Sequence, residues 1–170
     1  MRFAVTLVLA LVLITFQSAL VHQLGFAVAR IDVTVALIAF LSLRAGRIEG
    51  AAASFAIGYV LDLLSGQPTG LYTFLAVGVF LVGRGARSLM DVRSAPSFAV
   101  FATGLEVVHA LSAVFFTWMT SRGEGGAGFS FGAFVLQVVL TALVALALYP
   151  LLRRVDPGNE RSDSGLGLLR

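Results

Sequence analysis

The sequence predicts an all-α, polytopic integral membrane protein of about six transmembrane helices in a compact bundle. Two observations carry that prediction. Of 170 residues, 58% are hydrophobic and only 12% charged, and the mean hydropathy of +0.95 lies outside the balance of a water-soluble domain. The apolar residues fall into runs separated by short polar connections, and all 12 basic residues are Arg, placed where the runs end. With the N-terminus inside, six spans put Arg2, Arg44, Arg47, Arg84, Arg87, Arg93, Arg153, Arg154, Arg161 and Arg170 in the cytoplasm, against Arg30 and Arg122 outside. Both termini are therefore expected in the cytoplasm. The absence of Cys and Lys excludes disulfides, thiol nucleophiles, Cys-based metal sites and Schiff-base chemistry. The basic charge is topology charge, and no nucleic-acid partner is expected.

Residues 3–21 form the first apolar run, long enough to span and opened by Arg2. No small-x-small cleavage site follows Ser18, so this run is expected to stay as an uncleaved first helix. A mildly polar connection, 22–30, leads to the second run, 31–43, with Asp32 near its entrance. Thirteen residues at a rise of ~1.5 Å cover only about 20 Å, so this helix must either begin near Leu24 or fail to span alone. In the first case Arg30 and Asp32 sit in the membrane interface and can pair.

After a charged turn, 44–49, the third run covers 50–64. Gly46, Gly50, Ser54 and Gly58 recur at a four-residue step and Asp62 continues the row, which marks a helix-packing face; a ligand cavity is the functional alternative. Asp62 is the costliest residue of the chain, at about 2.5–3.5 kcal/mol for a carboxylate near the centre of a spanning helix. It needs a partner or a cavity, and the negative end of its own helix supplies neither. Gly66 suits a left-handed helix stop, Pro68 cannot continue the helix, and Gly70 suits close approach of the following backbone. Residues 50–82 are too long for one span and read as helix, polar hairpin, helix, with the fourth run at 71–82.

Pro96 opens the fifth run, 97–120, with Trp118 near its far, outer end. Glu106 and His109 are spaced i, i+3 on one face of that run. Such a pair is half of a di-iron ligand set, but no second pair and no two further Glu residues accompany it, so hydrogen bonds to each other or to neighbouring helices are expected and a metal is not. A Gly-rich loop, 121–128, precedes the sixth run, 129–152, which holds Gln137 and ends at Arg153 and Arg154. Residues 1–154 thus form the transmembrane domain and 155–170 a polar tail expected to be disordered. No internal repeat is evident, which gives no support to an inverted-repeat transporter.

The stretch Gly58, Asp62, Leu63, Leu64, Ser65, Gly66, Gly70, Leu71 resembles the Gly-x-x-x-Asp-Leu-Leu-Ser-Gly-x-x-x-Gly-Leu signature of the bacterial rod-shape-determining MreD family. Length, number of runs and placement of the motif agree with that family, while Arg30-Ile31-Asp32 lacks the Pro often found between the Arg and the acid. The resemblance implies a non-enzymatic component of the cell-elongation complex that helps control lateral peptidoglycan synthesis and cell shape. It implies association with MreC, a single-pass periplasmic protein, and indirect links to the MreB filament and to a peptidoglycan polymerase and transpeptidase. Gly58, Asp62, Ser65, Gly66 and Gly70 take structural or partner-binding roles in this reading, and Arg30, Glu106, His109 and Gln137 are buried polar residues.

Catalysis is not expected. Ser65 and Ser112 are the candidate nucleophiles for an intramembrane hydrolase, but no Gly-x-Ser-x-Gly elbow surrounds Ser65, and a turn Ser beside Gly serves more often as a cap. No phosphate-cradling loop, nucleotide motif or cofactor signature is present. The alternative to the shape-complex reading is the substrate-binding membrane subunit of a vitamin-type, energy-coupling-factor uptake transporter. There Arg30, Asp62, Glu106 and His109 would line an outward pocket, although the outer connections offer few aromatic or polar residues.

Overall fold

A computed structural model of the chain describes residues 32–65, 70–120 and 131–155. Asp32 begins the first helix of this region by accepting the Val35 N–H through Oδ1 at 3.2 Å, a side-chain N-cap that satisfies one of the helix's orphaned donors. This helix, α1, covers Val33–Arg44. The others are α2 (Arg47–Ser65), α3 (Leu71–Ala86), α4 (Ala95–Thr120) and α5 (Phe131–Val155). The described residues are therefore all-helical, and α2, α4 and α5 are each long and apolar enough to cross a membrane.

The later start holds for α1. Its 12 residues reach only about 18 Å, short of the ~30 Å hydrocarbon thickness. Every residue from Thr34 to Ser42 is buried, and α1 packs against all four other helices. A helix that is apolar all round has no solvent or lipid face to present, and here it is the hub of the core. Phe40 and Tyr149 both pack on Phe98, at ring separations of 6.3 and 5.2 Å, which joins α1 and α5 to α4. The Tyr149 hydroxyl also donates to the Arg93 carbonyl at 3.1 Å, just before α4.

Two antiparallel pairs flank this hub. The first is α2 with α3, the hairpin read from the sequence, and the second is α4 with α5. Among the described helices α2 touches α1 and α3 alone, so its hold on the bundle depends on those two contacts. Of the predicted row of small residues, Gly50, Ser54, Gly58 and Asp62 are buried, whereas Gly46 lies exposed before the helix. At Gly58 an added Cβ would stand 2.5 Å from the Thr73 Cα and 2.7 Å from the Tyr72 carbonyl oxygen, so the α2 and α3 backbones meet closely there. That contact is the small-xxx-small packing expected where lipid removes the hydrophobic drive.

Several boundaries shift. The turn predicted over 44–49 shrinks to two residues because Arg47 already begins α2, and α3 runs on past Val82 to Ala86. Helix α4 starts at Ala95, where Ser94 and Ser97 cap it reciprocally: the Ser97 N–H donates to Ser94 Oγ at 3.3 Å and the Ser94 N–H to Ser97 Oγ at 3.1 Å. Pro150 is inside α5 rather than at its end, and the helix continues to Val155. Val155, the first residue of the tail predicted over 155–170, is instead the last of α5, and the first run, Arg30, the turn at 66–69 with Gly66, the loop at 121–128 and residues 156–170 lie outside the described residues.

Candidate functional site

Asp62 is 3% exposed, and its partner is the start of the next helix. Oδ1 accepts the Tyr72 N–H at 3.0 Å, and Oδ2 accepts both the Thr73 N–H at 2.9 Å and the Thr73 hydroxyl at 2.5 Å. The first N–H groups of any helix lack intrahelical acceptors and carry the positive end of its dipole. Helix α3 has no side-chain cap from its own N-cap residue, Gly70, and takes one instead from a residue ten positions upstream. An acid that its own helix cannot accommodate thus caps another. Gly58, one turn before Asp62 on the same face, permits the backbone approach that brings those donors within reach.

Gly70 acts differently from the sequence reading. A Cβ there would meet nothing within 4 Å, so close approach is not its reason. Its φ of 111° is the reason, since side-chain-bearing residues rarely adopt the left-handed region. Ser65 is exposed, and its hydroxyl donates to the Asp62 carbonyl at 3.2 Å, a local helix-end bond. At the opposite end of the bundle Arg84 of α3 donates from a guanidinium nitrogen to the Ala45 carbonyl, which closes the C-terminus of α1. A carboxylate at one end and a guanidinium at the other therefore tie α3 to its neighbours.

A second polar group of residues occupies the junction of α1, α4 and α5. Glu106 is fully buried and accepts from the Gln137 side-chain amide at 2.5 Å, across from α4 to α5. His109 Nδ1 lies 3.4 Å from Oδ2 of Asp32, at the start of α1. The sequence reading expected Glu106 and His109 to bond each other or neighbouring helices and counted Glu106, His109 and Gln137 as buried polar; Glu106 is buried and bonds Gln137, whereas His109 and Gln137 are half-buried and His109 Nδ1 makes no hydrogen bond. The Thr141 hydroxyl, also fully buried, stands beside the Glu106 carboxylate without forming a well-aligned hydrogen bond.

Asp62 is engaged at the α2–α3 hairpin, while Glu106 and His109 belong to the α1–α4–α5 junction. The pocket that would unite all three is thus not assembled by their contacts. An open apolar groove between α3 and α4, with Phe74, Gly78, Ser112 and Phe116 among its walls, holds about 110 Å³. That is below the roughly 300 Å³ at which small-molecule pockets begin.

Sequence reasoning missed Asp32 and Thr73 as site residues. Thr73 had a readable signal, a hydroxyl residue at the opening of the helix that follows an isolated acid. Asp32 had only half of one: it marks an N-cap, but nothing local points 77 positions ahead to His109. Comparison with known proteins finds no matching family model, no similar curated protein and no similar solved structure.

Proposed function

We propose that the chain is a non-enzymatic membrane component of a bacterial cell-elongation complex, of the MreD type, that docks a single-pass partner with a large periplasmic domain. The observation that carries this reading is the 58–71 motif together with the role of its acid. Gly58, Asp62 and Gly70 join α2 to α3 in one hairpin, and this shared structural role supports reading the stretch as a motif. In this reading the hairpin presents its turn on the outer side of an inner membrane crossed about six times, with both termini in the cytoplasm. The Arg distribution of ten against two supports that orientation.

The exposed apolar face of α2 supports a docking role. Phe55 and Tyr59 stack at 6.4 Å with an interplanar angle of 4°, and Leu63 continues their side of the helix. The uptake-transporter alternative asks for a pocket shared by Arg30, Asp62, Glu106 and His109, and the separate engagements of the last three count against it.

Crosslinking in native membranes, followed by affinity purification of the tagged chain and mass identification, tests the proposal. Recovery of a single-pass protein with a coiled-coil periplasmic domain is the expected result. Recovery of cytoplasmic ATPases with a membrane coupling subunit would replace it with the transporter reading.

A further inference from the structure

We infer that Asp32, Glu106 and His109 form a binding site for one divalent transition-metal ion of the Zn²⁺ class, inside the junction of α1, α4 and α5. Each residue offers a ligand atom, and these atoms lie within 4.8 Å of one another. The distance from His109 Nδ1 to Asp32 Oδ2 is 3.4 Å, beyond an ordinary N–H···O bond, and Nδ1 has no hydrogen-bond partner. Two ligands on bonds of about 2.1 Å at a tetrahedral angle stand about 3.4 Å apart, so this pair has the spacing of two corners of a zinc site.

A second observation is independent of that spacing. Glu106 is fully buried and its Oε2 has no hydrogen-bond partner, although Oε1 is bonded to Gln137. Lone polar atoms are rare at such depth, because neither lipid nor packed side chains replace water. The Thr141 hydroxyl, equally buried, stands beside the same carboxylate as a donor without a well-aligned bond to it. The outer contacts of the cluster are those that orient ligands: Val35 N–H fixes Asp32 through Oδ1, and Gln137 fixes Glu106 through Oε1. The second oxygen of each carboxylate is left for the ion. Two carboxylates and a neutral imidazole match a divalent charge, and the imidazole favours Zn²⁺ or its first-row neighbours over Mg²⁺ or Ca²⁺. The Asp32 and His109 side chains retain 19% and 13% exposure, which leaves a way in. The sequence argument against a metal sought a second Glu-x-x-His pair and did not count an acid supplied by another helix.

The test uses the full chain in lipid nanodiscs, stripped with a chelator and dialysed against low Zn²⁺. Wild type is expected to retain one equivalent, with affinity lowered at least about tenfold in Glu106→Gln and in His109→Ala and unchanged in Gly78→Ala, where an added methyl meets nothing. Asp32→Asn, at the rim of the cluster, separates a lost ligand from a lost fold. With Co²⁺ as the probe it is expected to shift the visible ligand-field bands while the helical circular dichroism stays as in wild type. No stoichiometric retention by wild type would overturn the site. Retention undiminished in both Glu106→Gln and His109→Ala would overturn it equally.

Discussion

At the scale of single residues, Asp62 shows why an isolated acid in an apolar run is informative and also what it withholds. Its cost announces a partner, and the sequence placed it correctly against the protein interior. The partner itself was not legible, because the bonds join positions 62 and 72–73 across a turn whose geometry no local pattern specifies. Asp62→Asn keeps one oxygen acceptor and loses the charge, so it is expected to retain the fold with a loss of about 1–3 kcal/mol, read by denaturant titration in detergent. Asp62→Leu strands two backbone N–H groups and the Thr73 hydroxyl, at about 1–3 kcal/mol for each donor, and should be the more damaging. Thr73→Val removes only the hydroxyl bond and should cost about 0.5–1.5 kcal/mol. Equal stability of Asp62→Asn and Asp62→Leu would mean that the cap contributes nothing.

Helices as units were the most legible level, because long apolar runs separated by polar, mostly Arg-bearing connections have few alternative readings. What the pattern did not reveal was rank. The shortest run, α1, becomes the centre of the bundle, and only its uniform apolarity hinted at burial on every side. The four-residue row of small residues predicted a packing face, and the partner of that face proved to be the next helix in sequence. Gly58→Ala therefore has a sharp expectation. Its methyl group would meet the Thr73 Cα at 2.5 Å, a backbone atom that cannot turn aside, so α2 and α3 must separate. A loss of about 1–3 kcal/mol should appear in the same titration, since overpacking of a tight contact costs that much. The same substitution at Gly78, where an added Cβ meets nothing, should leave stability within about 0.5 kcal/mol of wild type.

For the whole molecule, composition alone conveyed an all-helical membrane protein, because no other class combines so few charges with such hydropathy. The junction of Asp32, Glu106 and His109 was beyond such reading. It forms only when α1, a helix too short to span, is wrapped by α4 and α5. The proposed function belongs to this scale too, since a docking component acts through what the assembled bundle holds. The most direct measurement is the shape of cells depleted of this chain in its own host, with wild type and Asp62 variants supplied in turn. The account predicts that depleted cells lose their rod form and swell, that wild type restores it, that Asp62→Asn restores it in part, and that Asp62→Leu restores it least. Rods of normal width after depletion, with uptake of a vitamin impaired instead, would contradict it.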